Sequence, residues 1–322
     1  MAKTTRLFKS FSRLLLPVVI LFVLAVLAGS VYLVYKTARP PQAAYLVTPE
    51  KYGQLSARGA QVTDETWTNP DGTSARGWLL RGAENAPAVI LLHRYGADRS
   101  HVLDLGVKIN EATDFTILMP DQRGHAQNPS VKISSFGGCE TEDLVAAIDY
   151  LRGLKNENQA VLVGQDIGIY GVEMGAFAAL SVAAANENVK ALALDSVPAD
   201  ANDVLASAID KRYPFASSVT SKFAQLGTYF YFYDGCYKRN SMCNAAKAIN
   251  NRQVLLLAGM DAPKFQASTT NISKCFPSET KVEVKTDLNP SGFSLTNASL
   301  EQSSAYDQRV IEFFKTALLS QN

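Results

Sequence analysis

The stretch Ile167-Gly168-Ile169-Tyr170-Gly171-Val172-Glu173-Met174-Gly175-Ala176-Phe177-Ala178-Ala179-Leu180 constrains this chain more than any other. An apolar run from Ile167 to Tyr170 leads into Gly-Val-Glu-Met-Gly, and a small-residue helical pattern follows from Gly175 to about Asn186. Strand, tight turn and helix in that order are the setting in which G-x-S-x-G raises a serine above a sheet. The two glycines are in place. The serine is not, and Glu173 stands at the raised position.

Elements before and after this turn extend the same pattern. Residues 61–67 and 74–81 alternate apolar and polar side chains around Asn69-Pro70-Asp71-Gly72, which predicts an antiparallel hairpin. Short, mostly apolar runs at Ala88–Leu92, Phe115–Met119, Val189–Leu194 and Val254–Ala258, with a further segment at Lys281–Lys285, predict parallel strands, the apolar runs being buried on both faces. Helices are predicted over Glu140–Leu154, with Thr141-Glu142-Asp143 in its first turn, and over Ser304–Leu319. Between about 199 and 250 the alternation breaks into helical pieces containing Tyr229-Phe230-Tyr231-Phe232-Tyr233, placed as a cap insertion would be. Packing of that block on the core, or the lining of an apolar ligand cleft, would account for the aromatic run.

Four segments at predicted strand ends carry a resemblance. They are Leu91-Leu92-His93-Arg94-Tyr95-Gly96, Asp121-Gln122-Arg123-Gly124-His125, Gly171-Val172-Glu173-Met174-Gly175 and Leu257-Ala258-Gly259-Met260-Asp261-Ala262-Pro263. In this order they resemble the α/β-hydrolase superfamily, and within it the dienelactone-hydrolase and serine-aminopeptidase-like members, over roughly residues 61–320. The resemblance implies a mostly parallel, doubly wound sheet with a cap insertion. It also implies acyl-transfer machinery: a nucleophile, then an acid, then a histidine, with two backbone amides forming an oxyanion hole.

Position by position, that machinery is incomplete. Asp261 matches the acid, and Tyr95 and Met174 match the residues whose amides make the oxyanion hole. Glu173 replaces the nucleophile. The histidine belongs in Asp287-Leu288-Asn289-Pro290-Ser291-Gly292-Phe293, which has none; the three histidines, His93, His101 and His125, all precede the turn. A carboxylate can act as a nucleophile, but hydrolysis of the resulting ester needs a base to activate water. His93 and His125 lie at strand ends near the turn, where holding a loop by hydrogen bonds is the expected role. Arg94 stands where relatives carry glycine, so an Arg94–Glu173 ion pair filling the former pocket is expected. Asp195, which ends a strand near the turn, is read as a cap for the following loop. No Cys/His spacing resembles a zinc site, and no cofactor is expected.

The amino-terminal segment has a different character. Residues 14–35 form 22 positions without a charge, enough at about 1.5 Å per residue to span a bilayer core of roughly 30 Å. Lys3, Arg6, Lys9 and Arg13 outnumber Lys36 and Arg39, which places the basic tail 1–13 in the cytoplasm and the large domain outside it. The alternative, a leader cleaved after Ala28, sits poorly with the apolar run continuing through Val31–Tyr35. Pro40, Pro41 and Pro49 mark 36–60 as a linker to the domain at 61–322. Residues 1–39 hold six of the 31 basic residues and no acid, so the remainder carries 25 basic against 30 acidic residues. A mildly acidic globular part argues against nucleic-acid binding.

Outside the cytoplasm a disulfide is permitted. Among Cys139, Cys236, Cys243 and Cys275, Cys236 and Cys243 are the nearest in sequence and would close a short loop; free buried thiols are the alternative. The expected protein is therefore a membrane-anchored, hydrolase-like binding or assembly module, with a protein partner or a small apolar ligand. The rival is an active hydrolase of esters, amides or carbon–halogen bonds with a rearranged site, and a small-ligand receptor is a third reading.

Overall fold

The computed structural model describes residues 2–53, 59–156, 158–214 and 217–319, and in the first helix side chains from Leu15 on. Residues 54–58 of the expected linker and the basic side chains of the expected tail lie outside the described residues. The chain divides into two compact units. One is Arg39–Val204 with Cys236–Asn322, and the other is Met1–Ala38 with Leu205–Gly235.

In chain order the elements are α1 (Ala2–Thr37), α2 (Pro49–Gly53), β1 (Val62–Thr68), β2 (Ser74–Leu80), β3 (Ala86–Leu92), α3 (Leu103–Thr113), β4 (Thr116–Pro120), α4 (Gly138–Gly153), β5 (Val163–Val172), α5 (Met174–Ala183), β6 (Val189–Asp195), α6 (Ala201–Arg212), α7 (Ser217–Tyr231), α8 (Met242–Lys247), β7 (Gln253–Gly259), α9 (Pro263–Ile272), β8 (Lys281–Leu288) and α10 (Leu300–Leu319). The eight strands form one sheet in the order β1-β2-β4-β3-β5-β6-β7-β8. β1–β2 and β2–β4 are antiparallel and the other pairs are parallel. The mostly apolar strands β3, β4, β6 and β7 are largely buried because helices cover both faces. α3 and α10 pack on each other, with α10 also on β5 and β6, while α4 and α5 pair and α5 lies along β5.

The pleat of β5 shows how the sheet selects its neighbours. Gly168 faces α10, where a β-carbon would lie 2.8 Å from Phe314 Cε1. Two residues on, Tyr170 points to the same side and its hydroxyl meets that of Tyr306 at 2.9 Å. Residues of the segment read as a linker bond to this unit. The Tyr45 hydroxyl donates to Asp121 Oδ2 at 3.0 Å, the Leu46 amide donates to Ser100 Oγ at 2.9 Å, and the Tyr52 hydroxyl donates to Asp104.

The cysteine pairing differs from the expected Cys236–Cys243 bridge. The disulfides are Cys139–Cys236 and Cys243–Cys275, separated by 97 and 32 residues. Cys236 is held against the start of α4, where a β-carbon on Gly138 would lie 1.7 Å from the Cys236 carbonyl oxygen. Cys243, in α8, lies toward the end of α9, which packs nearby. Nearness in sequence misled because loop-closure cost grows only slowly with length, so the fold decides the partner.

Candidate functional site at the strand-to-helix turn

β5 ends at Val172 and α5 begins at Met174, so Glu173 alone makes the turn, at φ 50° and ψ −106°. A non-glycine residue held there costs on the order of 1–3 kcal/mol and persists only when its surroundings impose it. They do. A β-carbon on Gly171 would lie 2.5 Å from the Gly175 backbone, and one on Gly175 would lie 2.7 Å from the Leu92 backbone. The Glu173 amide donates to Asp195 O at 3.0 Å, and its carbonyl accepts from the Phe177 amide at 2.9 Å. The turn therefore has the geometry expected from Gly-Val-Glu-Met-Gly.

The side chain it presents is completely buried. Glu173 Oε2 accepts from the Tyr95 amide at 2.9 Å, the donor that the resemblance assigns to the oxyanion hole. Glu173 Oε1 has no hydrogen-bond partner. The expected ion pair with Arg94 does not form. Arg94 Nη1 donates instead to Tyr95 O at 3.2 Å, and the guanidinium lies 5.3 Å from the ring centre of Phe293. The arginine finds an aromatic face at the half-buried rim, while the carboxylate inside is met by a backbone amide.

Neither histidine near the turn bonds to Glu173. His93 Nδ1 lies 2.9 Å from Arg94 O, and His93 Nε2 accepts from the Gln122 amide at 3.1 Å. Both ring nitrogens are thus engaged in fixing the loop. Burial, with the neighbouring His125 adding to it, pushes the His93 imidazole down to about 3. His125 is likewise lowered by burial; its Nδ1 lies 2.9 Å from Arg123 O, and its ring packs edge-on against His93 and Tyr95. The rest of the Asp121–His125 segment is also structural. Asp121 pairs with Arg76 and Arg99, and Arg123 pairs with Asp143 and Asp71.

Asp261 lies after β7 as expected, and its partner stands where a histidine was sought. Asp261 Oδ1 accepts from the Ser291 amide at 3.0 Å, and Oδ2 from the Ser291 hydroxyl at 2.9 Å. Met174 is completely buried, its sulfur 3.3 Å from Ser134 Oγ.

Asp195 does more than cap a loop. Its carboxylate accepts from the Gly292 amide and the Tyr306 hydroxyl, each at 2.9 Å, and from the Ser196 hydroxyl at 2.7 Å. Burial outweighs these donors and lifts the acid to about 6. This cluster ties β6, the loop after β8 and α10 together. Its one signal in the sequence is an acid closing an apolar strand, a position that requires partners.

Two cavities are lined by residues of the candidate site. One of about 230 Å³ is lined by Trp67, Arg76, Gln122, His125 and Asp143 among others, and one of about 190 Å³ by His93, Arg94, Tyr170, Phe293 and Asp307 among others. Glu173 lines neither. Among the described residues, no group of three or more His, Cys, Asp or Glu side chains is placed to hold a metal ion.

Comparisons with known proteins agree on the architecture. A family profile described as the alpha/beta hydrolase fold matches residues 87–221. No curated protein matches the chain by sequence. Among solved structures, an esterase from Pyrococcus furiosus superposes with a TM-score of 0.60 at 20% identity, covering 87% of this chain and 98% of the esterase. A dienelactone hydrolase from Anabaena variabilis superposes with a TM-score of 0.55 at 16% identity, covering 80% of this chain and 99% of that enzyme. An α/β hydrolase from a Penicillium species gives 0.56 at 16% identity, with 80% and 99% covered. The strand order, the strained turn at residue 173 and these matches together establish that the chain has the α/β-hydrolase fold.

Proposed function

We propose that this chain is a membrane-anchored, α/β-hydrolase-like protein without hydrolase activity, serving as a binding or assembly module outside the cytoplasmic membrane. One observation carries the reading: the Glu173 carboxylate, buried at the turn, accepts from the Tyr95 amide that catalysis would have to leave open. An oxyanion needs donors aimed at the charge that develops, and here the Glu173 side chain occupies that donor. The acid Asp261 bonds to Ser291, and both nitrogens of His93 are taken. The turn thus presents a carboxyl group in place of an alcohol, and no histidine bonds to it among the described residues. Anchorage rests on α1, whose segment Leu15–Thr37 is long and apolar enough to cross a membrane.

The esterase and dienelactone-hydrolase activities belong to the proteins that carry those names, and they set the test. Purified full-length protein is assayed with p-nitrophenyl esters of graded chain length and with haloalkanes, beside a Glu173→Ala variant. The expected result is no turnover above the variant. Turnover that Glu173→Ala abolishes would overturn the reading in favour of a carboxylate nucleophile. Crosslinking in intact membranes followed by mass spectrometry then identifies the bound partner.

A further inference from the structure

The aromatic run Tyr229–Tyr233 turns largely outward. Phe230 and Tyr233 are 54% and 90% exposed, although residues of this kind are expected to be covered. They continue a stripe along α7 through Val219, Phe223 and Leu226, all exposed, at the spacing of one helix face. Lys222 is the only charged residue in this 15-residue helix. On its other side α7 lies against α1, in the same compact unit. Ser221, Ala224, Gly227 and Thr228 are buried. At Gly227 the two helices nearly touch, since a β-carbon there would lie 2.2 Å from Ser30 O. This is the close, small-residue approach by which helices pair in lipid.

What covers the outward face follows from α1. Its side chains are exposed from Leu15 to Ala25, and beyond them one side is covered, with Ser30, Val34 and Thr37 buried while Tyr32 and Tyr35 stay exposed. That exposed stretch is about 16 Å long, roughly half of a bilayer core. Charged residues Lys9 and Arg13 close off its amino-terminal end. The span is completed only by including Ser30–Tyr35, the part packed against α7. A helix lying against that part sits at membrane depth itself. The polar groups at this crossing suit such a place. Ser30 Oγ donates to Val26 O, Thr37 Oγ1 to Leu33 O and Thr228 Oγ1 to Gln225 O, so each is satisfied within its own helix.

We propose that α7 is a second membrane element: it lies in the outer leaflet beside the carboxyl-terminal third of α1, with Phe223, Leu226 and Phe230 in contact with lipid acyl chains and Tyr233 at the headgroup level. The proposal rests on α1 spanning the membrane. Its consequence is a domain held at two points, which restricts how the chain can swing about a single anchor.

The test uses the full chain in phosphatidylcholine vesicles, with and without dibrominated acyl chains. Leu226→Trp and Phe230→Trp report on α7, and Leu21→Trp reports on α1. All three positions are exposed, so the fold is preserved, and Trp67 and Trp78 give a buried background. Brominated lipid is expected to remove roughly half or more of the added emission at all three positions, as for side chains within 5–10 Å of the acyl boundary. Quenching at Leu21→Trp with none at Leu226→Trp and Phe230→Trp would overturn the proposal and leave the anchor standing; this is also the result if a second copy or another protein covers α7. No quenching at any of the three would overturn the anchor itself.

Discussion

The Tyr95 amide donates to Glu173 Oε2 at 2.9 Å, from the loop after β3 to the turn after β5. A side-chain oxygen of the chain itself thereby takes up the backbone donor that the resemblance assigns to the oxyanion hole. On the proposed reading a serine at 173 is not enough for ester hydrolysis, because residues 287–293 supply no histidine beside Asp261. Glu173→Ser and Ser291→His singly are expected to show only background ester hydrolysis. Combined, they place a histidine next to Asp261, which already holds Ser291 at 2.9 Å. The double variant is expected to exceed either single one by about 10²-fold in p-nitrophenyl acetate turnover, the low end for general-base assistance. Equal rates in all three would mean that the turn no longer presents residue 173 to substrate.

The separation of Arg94 from Glu173 gives a second prediction. Breaking a buried ion pair costs about 3–5 kcal/mol, whereas an exposed cation over a ring contributes about 0.5–1 kcal/mol. Arg94→Ala is therefore expected to cost under about 1 kcal/mol in denaturant unfolding. In a double-mutant cycle with Glu173→Gln, the coupling is expected to stay below about 0.5 kcal/mol. A coupling of several kcal/mol would restore the ion pair.

The strands, the hairpin and the turn at Glu173 were legible because each is a local pattern: an apolar run, an Asn-Pro-Asp-Gly turn, a pair of glycines around a tight bend. The residues of the candidate site were legible by their order along the chain. Their contacts were not. That Asp261 meets Ser291, or that Asp195 meets Gly292 and Tyr306, depends on how the loop after β8 and the start of α10 come to rest on the sheet. The Arg94–Glu173 expectation failed for the same reason: opposite charge was weighed, but a backbone amide and the Phe293 ring were the closer partners. The outward aromatic face of α7 was hidden because nothing in its own sequence says that α1 lies behind it.

The disulfides give a third prediction. Non-reducing peptide mapping is expected to link Cys139 to Cys236 and Cys243 to Cys275, with no Cys236–Cys243 peptide. On the loop-entropy account, closing 97 residues stabilises by about 4–5 kcal/mol and closing 32 by about 3–4 kcal/mol. The Cys139→Ala/Cys236→Ala pair is therefore expected to lower stability at least as much as Cys243→Ala/Cys275→Ala. The reverse order would show that native packing, rather than the unfolded chain, sets the difference.

The last prediction concerns Asp195, whose acid is lifted to about 6 by burial. Its ordinary value is about 3.9, so between that pH and about 6 the folded chain holds a proton that the unfolded chain has released. Stability then falls as pH rises through this window, and the protonated carboxyl's contribution is fully present only below it. Asp195→Asn cannot ionise and is free of this slope, although it loses part of the bonding to Gly292, Tyr306 and Ser196. Other titrating groups are common to both proteins and drop out of the difference between them. Unfolding of the full chain in non-ionic detergent, followed by Trp67 and Trp78 fluorescence, measures that difference. The advantage of the native protein over Asp195→Asn is expected to be largest near pH 4 and to shrink by on the order of 3 kcal/mol by pH 7. A difference that stays flat, or grows with pH, would show that the three donors hold the carboxylate ionised and that burial does not govern it.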